Sequence, residues 1–185
     1  MIKAFITDFD GTLANTFEAN YASYKVAFKE VANIDFDKQF YKDSFGLRID
    51  DICHNLGIDG QEVIKNIKKA KAIEYKKNTG LIEINRHLQS ELMHFRNTGY
   101  RTVVATTATR ENLTNVLTAL NILYMFDIII TGDDVKKGKP DPEVYLKALE
   151  KLGLGANEVV VFEDSEAGIE AAHRAGIENV IKIEI

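Results

Sequence analysis

Five short apolar runs, separated by stretches with helical spacing, constrain this chain more than any other feature in it. They are Ile2 to Asp8, Val103 to Thr106, Phe126 to Thr131, Val159 to Phe162 and Val180 to Ile183. Their apolar character is continuous rather than alternating. Strands of that kind are buried on both faces, which requires a parallel sheet covered by helices. The intervening segments supply the helices. Arg86 to Thr98 places Leu88, Leu92 and Phe95 on one face and is followed by Gly99. Asn112 to Asn121 carries Leu113, Val116, Leu117 and Leu120. Pro142 can open a helix bearing Val144, Tyr145, Ala148, Leu149 and Leu152, closed by Gly153. Ser165 to Ala175 reads as a helix with Ser165 as N-cap and Gly176 after its end. Strands alternating with helices of this length predict an α/β fold with a doubly wound parallel sheet.

Residues 17–82 break the rhythm. No strand is predicted there. Phe17, Tyr21, Tyr24, Phe28 and Val31 share one helical stripe, and Ile49, Ile52, Cys53 and Leu56 a second. Val63, Ile64, Ile67, Ala70 and Ile73 form a third. An all-helical insertion of three or four short helices is expected directly after the first strand. The α/β domain is then built from 1–16 and 83–185, and the helical domain from 17–82.

The chain has 185 residues, a length for one compact domain carrying a modest insertion. Hydrophobic residues make up 45% and charged residues 28%, so the chain can bury a core and is not disordered. Cys53 is the only cysteine, which excludes a disulfide scaffold and a cysteine-rich metal site. A net charge of −5 argues against a general nucleic-acid or anionic-membrane binder. No apolar run is long enough for a transmembrane helix, and the N-terminus runs straight into the first strand without a signal peptide. A cytoplasmic protein, monomeric or weakly dimeric, is the expectation.

Ligands of open α/β sheets bind beyond the carboxyl ends of the strands. Four polar clusters sit at those ends: Asp8-Phe9-Asp10-Gly11-Thr12, Thr106-Thr107, Lys139-Pro140 and Glu163-Asp164. The strand order brings them to one crevice. Asp8 and Asp10 are two residues apart in extended chain and point the same way. Four carboxylates in one pocket cannot all stay ionised without compensation. An all-oxygen donor set without His or Cys favours magnesium. Magnesium, Lys139 and the Thr106 hydroxyl together suit an oxyanionic substrate, with phosphate the obvious candidate. Each cluster alone has a plain structural reading, since Asp-x-Asp is common in turns and Ser165 caps a helix in any case. Their conjunction, in sequential order at strand ends, is the signal.

The same order of residues resembles the haloacid dehalogenase superfamily. The stretches Lys137-Gly138-Lys139-Pro140-Asp141-Pro142 and Val161-Phe162-Glu163-Asp164-Ser165-Glu166-Ala167-Gly168 are closest to its β-phosphoglucomutase and sugar-phosphatase branch. The resemblance runs end to end, the insertion matching the family's helical cap on a Rossmann-like core. It implies Asp8 as the nucleophile that becomes an aspartyl phosphate, and Asp10 as general acid and then base. It implies magnesium held by the Asp8 carboxylate, the Asp10 carbonyl and Asp164, with Glu163 as a further candidate. Thr106 and Lys139 would bind phosphoryl oxygens, assisted by the Gly11 and Thr107 N–H groups. An aspartate at position 10 suits a phosphate ester, whose leaving oxygen needs a proton. Asn15-Thr16 departs from the Asp-Ser or Asp-Thr common in the branch.

The expected function is a magnesium-dependent phosphatase of a small phosphorylated metabolite, a sugar phosphate being one candidate. The insertion is long enough to be expected to close over the strand ends as a lid, excluding bulk water. A phosphomutase of the β-phosphoglucomutase type is the alternative. It needs a cap cation for a second phosphate, and Arg48 fits that place poorly. A non-catalytic binding protein is a third reading, which the presence of Asp8, Asp10 and Asp164 disfavours. His54, His87, His94 and His173 read as structural, and Asp133-Asp134 as a solvated loop. The lysines at 65, 68, 69, 71, 76 and 77 read as solvated helix faces.

Overall fold

A computed structural model describes residues 1–184. The chain divides into two compact units, one of residues 1–15 with 83–185 and one of residues 16–82.

The first unit is built on strands β1 (Ala4–Thr7), β4 (Arg101–Ala105), β5 (Ile128–Ile130), β6 (Val159–Glu163) and β7 (Val180–Lys182). They form one sheet in the order β5-β4-β1-β6-β7, and every pairing is parallel. This is the expected α/β doubly wound sheet. β1 lies at its centre, paired with β4 on one side and β6 on the other, so the chain reverses its direction of winding at β1. That reversal opens the crevice in which the polar strand ends meet.

Both faces of the sheet are covered because its residues alternate between them. Ala4, Ile6, Val103, Ala105, Val159 and Val161 pack with Val144, Tyr145 and Ala148 of α7 (Glu143–Leu152) and with Ala171 and Ala172 of α8 (Glu166–Arg174). Phe5 points the other way and stacks on Phe95 of α5 (Arg86–Asn97), ring centroids 3.7 Å apart. Helix α6 (Arg110–Ala119) begins two residues earlier than its apolar spacing predicts, because Thr109 caps it by accepting the Asn112 N–H. Ser165 caps α8 as expected, accepting the Gly168 N–H at 3.0 Å.

Two short elements escape sequence reading. β2 (Ala14–Asn15) and β3 (Glu83–Ile84) pair antiparallel where the chain leaves and re-enters this unit. Two residues carry no periodicity to detect. Asp133 and Asp134 also differ from the expected solvated loop. Asp134 accepts the Thr131 N–H and hydroxyl and pairs with Arg110, while exposed Asp133 accepts the Arg110 N–H.

The second unit holds α1 (Phe17–Ala32), α2 (Lys38–Asp43), α3 (Ile49–Asn55) and α4 (Gln61–Lys77), and contains no strand among its residues. Its core is aromatic, with Tyr24, Phe28, Phe36 and Tyr41 around Ile52, Cys53, Ile64 and Ile67. The third predicted stripe needs correction. α4 buries Ile64, Ile67, Lys71 and Tyr75, whereas Val63 and Ile73 are 38% and 58% exposed. Lys71, which the sequence pattern places on a solvated face, is buried. Burial is tolerated because its ammonium donates to Asn20 Oδ1 at 2.7 Å and lies 4.1 Å from the Tyr75 ring. A lysine inside an apolar stripe hides the stripe's true phase. Among the described residues, no helix is long and apolar enough to cross a membrane.

Candidate active site

Within the α/β unit, the site lies at the carboxyl ends of β1, β4 and β6 and on the loop after β5. Asp8 follows β1 directly, its N–H bonded to the Phe162 carbonyl at 3.0 Å. The chain then turns sharply. Leu13 and Ala14 both donate to the Phe9 carbonyl, and Gly11 donates to the Ala14 carbonyl. Gly11 sits at φ 92°, a conformation that glycine adopts without a side-chain clash. The turn sends Thr12 toward β6, where its hydroxyl donates to Asp164 Oδ1 at 2.7 Å. One end of the first motif is thereby tied to the fourth.

Lys139 is carried by the loop after β5, next to a cis Lys139–Pro140 peptide. Its side chain is only 5% exposed. The ammonium donates to Asp8 Oδ1 at 2.6 Å, to Glu163 Oε1, and to the Ala105 carbonyl at 3.3 Å. Thr106, buried at the end of β4, donates from its hydroxyl to Asp10 Oδ2 at 3.4 Å and accepts the Ala108 N–H. Thr107 follows it in the loop. The predicted residues Asp8, Asp10, Gly11, Thr106, Lys139, Glu163 and Asp164 thus lie in one linked constellation.

Glu163 is the most heavily bonded group of the site. Oε1 accepts from Lys139 and from the Tyr145 hydroxyl at 2.9 Å. Oε2 accepts from the N–H groups of Asp164 and Ser165 and from the Ser165 hydroxyl, at 3.0, 3.1 and 3.0 Å. Five donors leave this carboxylate little capacity for anything else. The sequence pattern marks Tyr145 only as a core residue of its helix. Its apolar neighbours in the pattern give no sign that its hydroxyl reaches the site.

The electrostatics follow from four carboxylates facing one ammonium. Burial pushes the Asp8 carboxyl well above the usual carboxylate range, and Glu163, Asp164 and Asp10 add to the rise against the opposing charge of Lys139. Burial also raises Asp164. Glu163 is lowered despite its burial, because Lys139 and the surrounding donors favour its charged form. Burial alone would lower Lys139, but Asp8 and Glu163 hold it firmly protonated. Asp8, Glu163 and Asp164 each offer an oxygen within 4.8 Å of the others'. Asp8 and Asp164 keep oxygens that suit a hard divalent cation, whose charge would favour their ionised forms.

Comparison with known proteins agrees with this geometry. Residues 5–182 match the family described as haloacid dehalogenase-like hydrolase. The chain is 32% identical over 187 residues to a phosphorylated carbohydrates phosphatase from Thermotoga maritima, covering 97% of this chain and 84% of that protein. Among solved structures it is similar to CbbY from Rhodobacter sphaeroides in complex with phosphate. The TM-score is 0.88 at 26% identity, over 99% of this chain and 87% of the other. It is likewise similar to a β-phosphoglucomutase from Clostridium difficile, with a TM-score of 0.87, 26% identity and coverage of 100% and 86%.

Proposed function

The chain belongs to the haloacid dehalogenase-like hydrolases, in the branch of sugar phosphatases and β-phosphoglucomutase, and on that premise we propose that it is a magnesium-dependent phosphatase of a small phosphorylated metabolite. The observation that carries this reading is the Asp8–Lys139 pair: a carboxylate at the central strand end, with a buried ammonium held against it at 2.6 Å. The pair brings a nucleophile and a phosphoryl-binding cation to one point.

In the proposed reaction, an Asp8 carboxylate oxygen attacks phosphorus and the bond from phosphorus to the leaving oxygen breaks. Asp10, as the carboxylic acid, gives that oxygen its proton. Asp10, now a carboxylate, then takes a proton from water. The water oxygen attacks the aspartyl phosphate, releasing phosphate and restoring Asp8. With substrate bound, the Thr106 hydroxyl turns from Asp10 to a phosphoryl oxygen, which it holds together with Lys139. The Gly11 and Thr107 N–H groups assist. Asp8, Asp164 and the Asp10 carbonyl would hold magnesium, which when bound neutralises charge on the carboxylates and the phosphoryl group. Glu163, with its five donors, is better suited to anchor Lys139 than to ligate the ion directly. The helical unit serves as the cap and the α/β unit as the catalytic domain.

The structural likeness to a β-phosphoglucomutase supports the alternative, a phosphomutase in which a sugar hydroxyl replaces water. Incubation with β-glucose 1-phosphate, magnesium and a trace of the bisphosphate separates the two. Phosphate release without glucose 6-phosphate is expected for the phosphatase, and rapid isomerisation with little free phosphate establishes the mutase. A magnesium-dependent release of phosphate from a panel of sugar phosphates then identifies the substrate.

A further inference from the structure

We propose that Tyr145 is a positioning residue whose hydroxyl, acting through Glu163, fixes the Lys139 ammonium against Asp8. Tyr145 has no accessible surface and is the largest fully buried side chain of the protein's described residues. It lies in the apolar layer between the sheet and α7, among Val144, Ala148 and Val161. Phenylalanine would fill that layer equally well. A hydroxyl there is costly unless it is bonded, so the acceptor it finds is informative. That acceptor is Glu163 Oε1, the same oxygen that takes the Lys139 ammonium. The Tyr145 ring also lies 5.2 Å from the Lys139 nitrogen. One aromatic side chain therefore holds the lysine from two sides, through its ring and through the carboxylate.

Glu163 can transmit that constraint because it cannot turn. Its other oxygen is pinned by Asp164, Ser165 N–H and the Ser165 hydroxyl. The socket has a floor made by Gly168: a Cβ at that helical position would lie 1.8 Å from Glu163 Oε1. With Oε2 fixed by Asp164 and Ser165 ahead of α8, and Oε1 by Tyr145 of α7, the carboxylate holds the ammonium where it also reaches Asp8 and the Ala105 carbonyl. Its kinetic consequences rest on the phosphatase reading, in which Lys139 must be in place when phosphorus is attacked.

The test compares wild type with Tyr145→Phe, which keeps the ring and removes the bond. Turnover of p-nitrophenyl phosphate should fall about tenfold, as is typical for a partner that orients a site group. Inhibition by orthovanadate should weaken by a similar factor, while the magnesium concentration for half-activation stays unchanged. A purely structural role would not move turnover and vanadate affinity together. Independently of activity, the Lys139 ammonium should give a slowly exchanging 15N–1H signal, identified by its loss in Lys139→Arg. That signal should broaden or vanish in Tyr145→Phe while the backbone spectrum stays native. Gly168→Ala, which crowds Glu163 and leaves Tyr145 intact, should act in the same direction. An unchanged Lys139 signal in folded Tyr145→Phe overturns the proposal, as does a wild-type protein without a protected Lys139 signal. Inactivity of wild type toward every phosphate ester would sink the phosphatase reading, and the ammonium signal would still decide the role of Tyr145.

Discussion

A methyl group on Gly11 would sit 2.2 Å from Oδ2 of Asp164, although the two residues are far apart in sequence. The first turn of the chain and the end of β6 are therefore fitted to each other. The Thr12 hydroxyl reinforces the fit on Oδ1 of the same carboxylate. Gly11→Ala should displace Asp164 and strain a backbone held at φ 92°. We expect activity to fall about 100-fold from misplacement of the group, and stability to fall by about 1–2 kcal/mol. Kinetics with phosphate esters and urea denaturation check the two effects separately.

Asp8→Asn should abolish turnover and leave the fold intact. An amide is nearly isosteric with the carboxylate, and Glu163 and the Ala105 carbonyl still accept from the Lys139 ammonium, so the fold is kept. Circular dichroism and a cooperative thermal transition should show the native fold retained. Substantial turnover in a preparation free of deamidated protein would remove Asp8 from the nucleophile's role.

Chelation should inactivate the enzyme reversibly, with magnesium restoring activity best. Magnesium binds the native state and should raise the melting temperature of wild type. In Asp164→Ala both the thermal shift and the activity should weaken together. Full activity in excess chelator would count against magnesium dependence altogether.

Asp127 offers a pH signature remote from the site. Burial tends to raise its carboxyl, but the Thr102 N–H at 2.9 Å, Arg96 at 2.6 Å and the charge of Arg101 prevail and hold it below the usual range. A depressed carboxyl stabilises the fold above its unfolded pKa of about 3.9, and that contribution is lost as pH falls through the lower folded value. Asp127→Asn should cost no more than about 1 kcal/mol at neutral pH, solvent screening these partly exposed pairs, and should flatten the decline in stability below about pH 4. Urea midpoints measured across that window give the comparison.

Phe28→Ala should destabilise the helical unit by about 3–5 kcal/mol. Phe28 is fully buried and stacks on Phe36 with centroids 4.7 Å apart, so truncation leaves a cavity that few neighbours can fill. Hydrogen exchange should report the loss in residues 16–82, with the sheet of the α/β unit much less affected.

Periodicity and strand-end chemistry are local, and both were legible in the sequence. Continuous runs such as Val159 to Phe162 specify strands buried on both faces, and those strands can pair only in a parallel, helix-covered sheet. The same runs end in Asp8, Thr106 and Glu163, so the chain order of the motifs already indicates where the crevice lies. What depends on side chains meeting from distant elements was not legible. Only the tertiary structure decides that Glu163 receives five donors, that Tyr145 reaches it through an apolar layer, and that Gly168 leaves it room. Lys71 makes the same point in the helical unit. Its type predicts solvent, yet Asn20, Tyr24 and Tyr75 together offset the cost of burying it. A sequence pattern records which residues can be buried, whereas the partner that makes burial of a polar group tolerable exists only once the chain has folded.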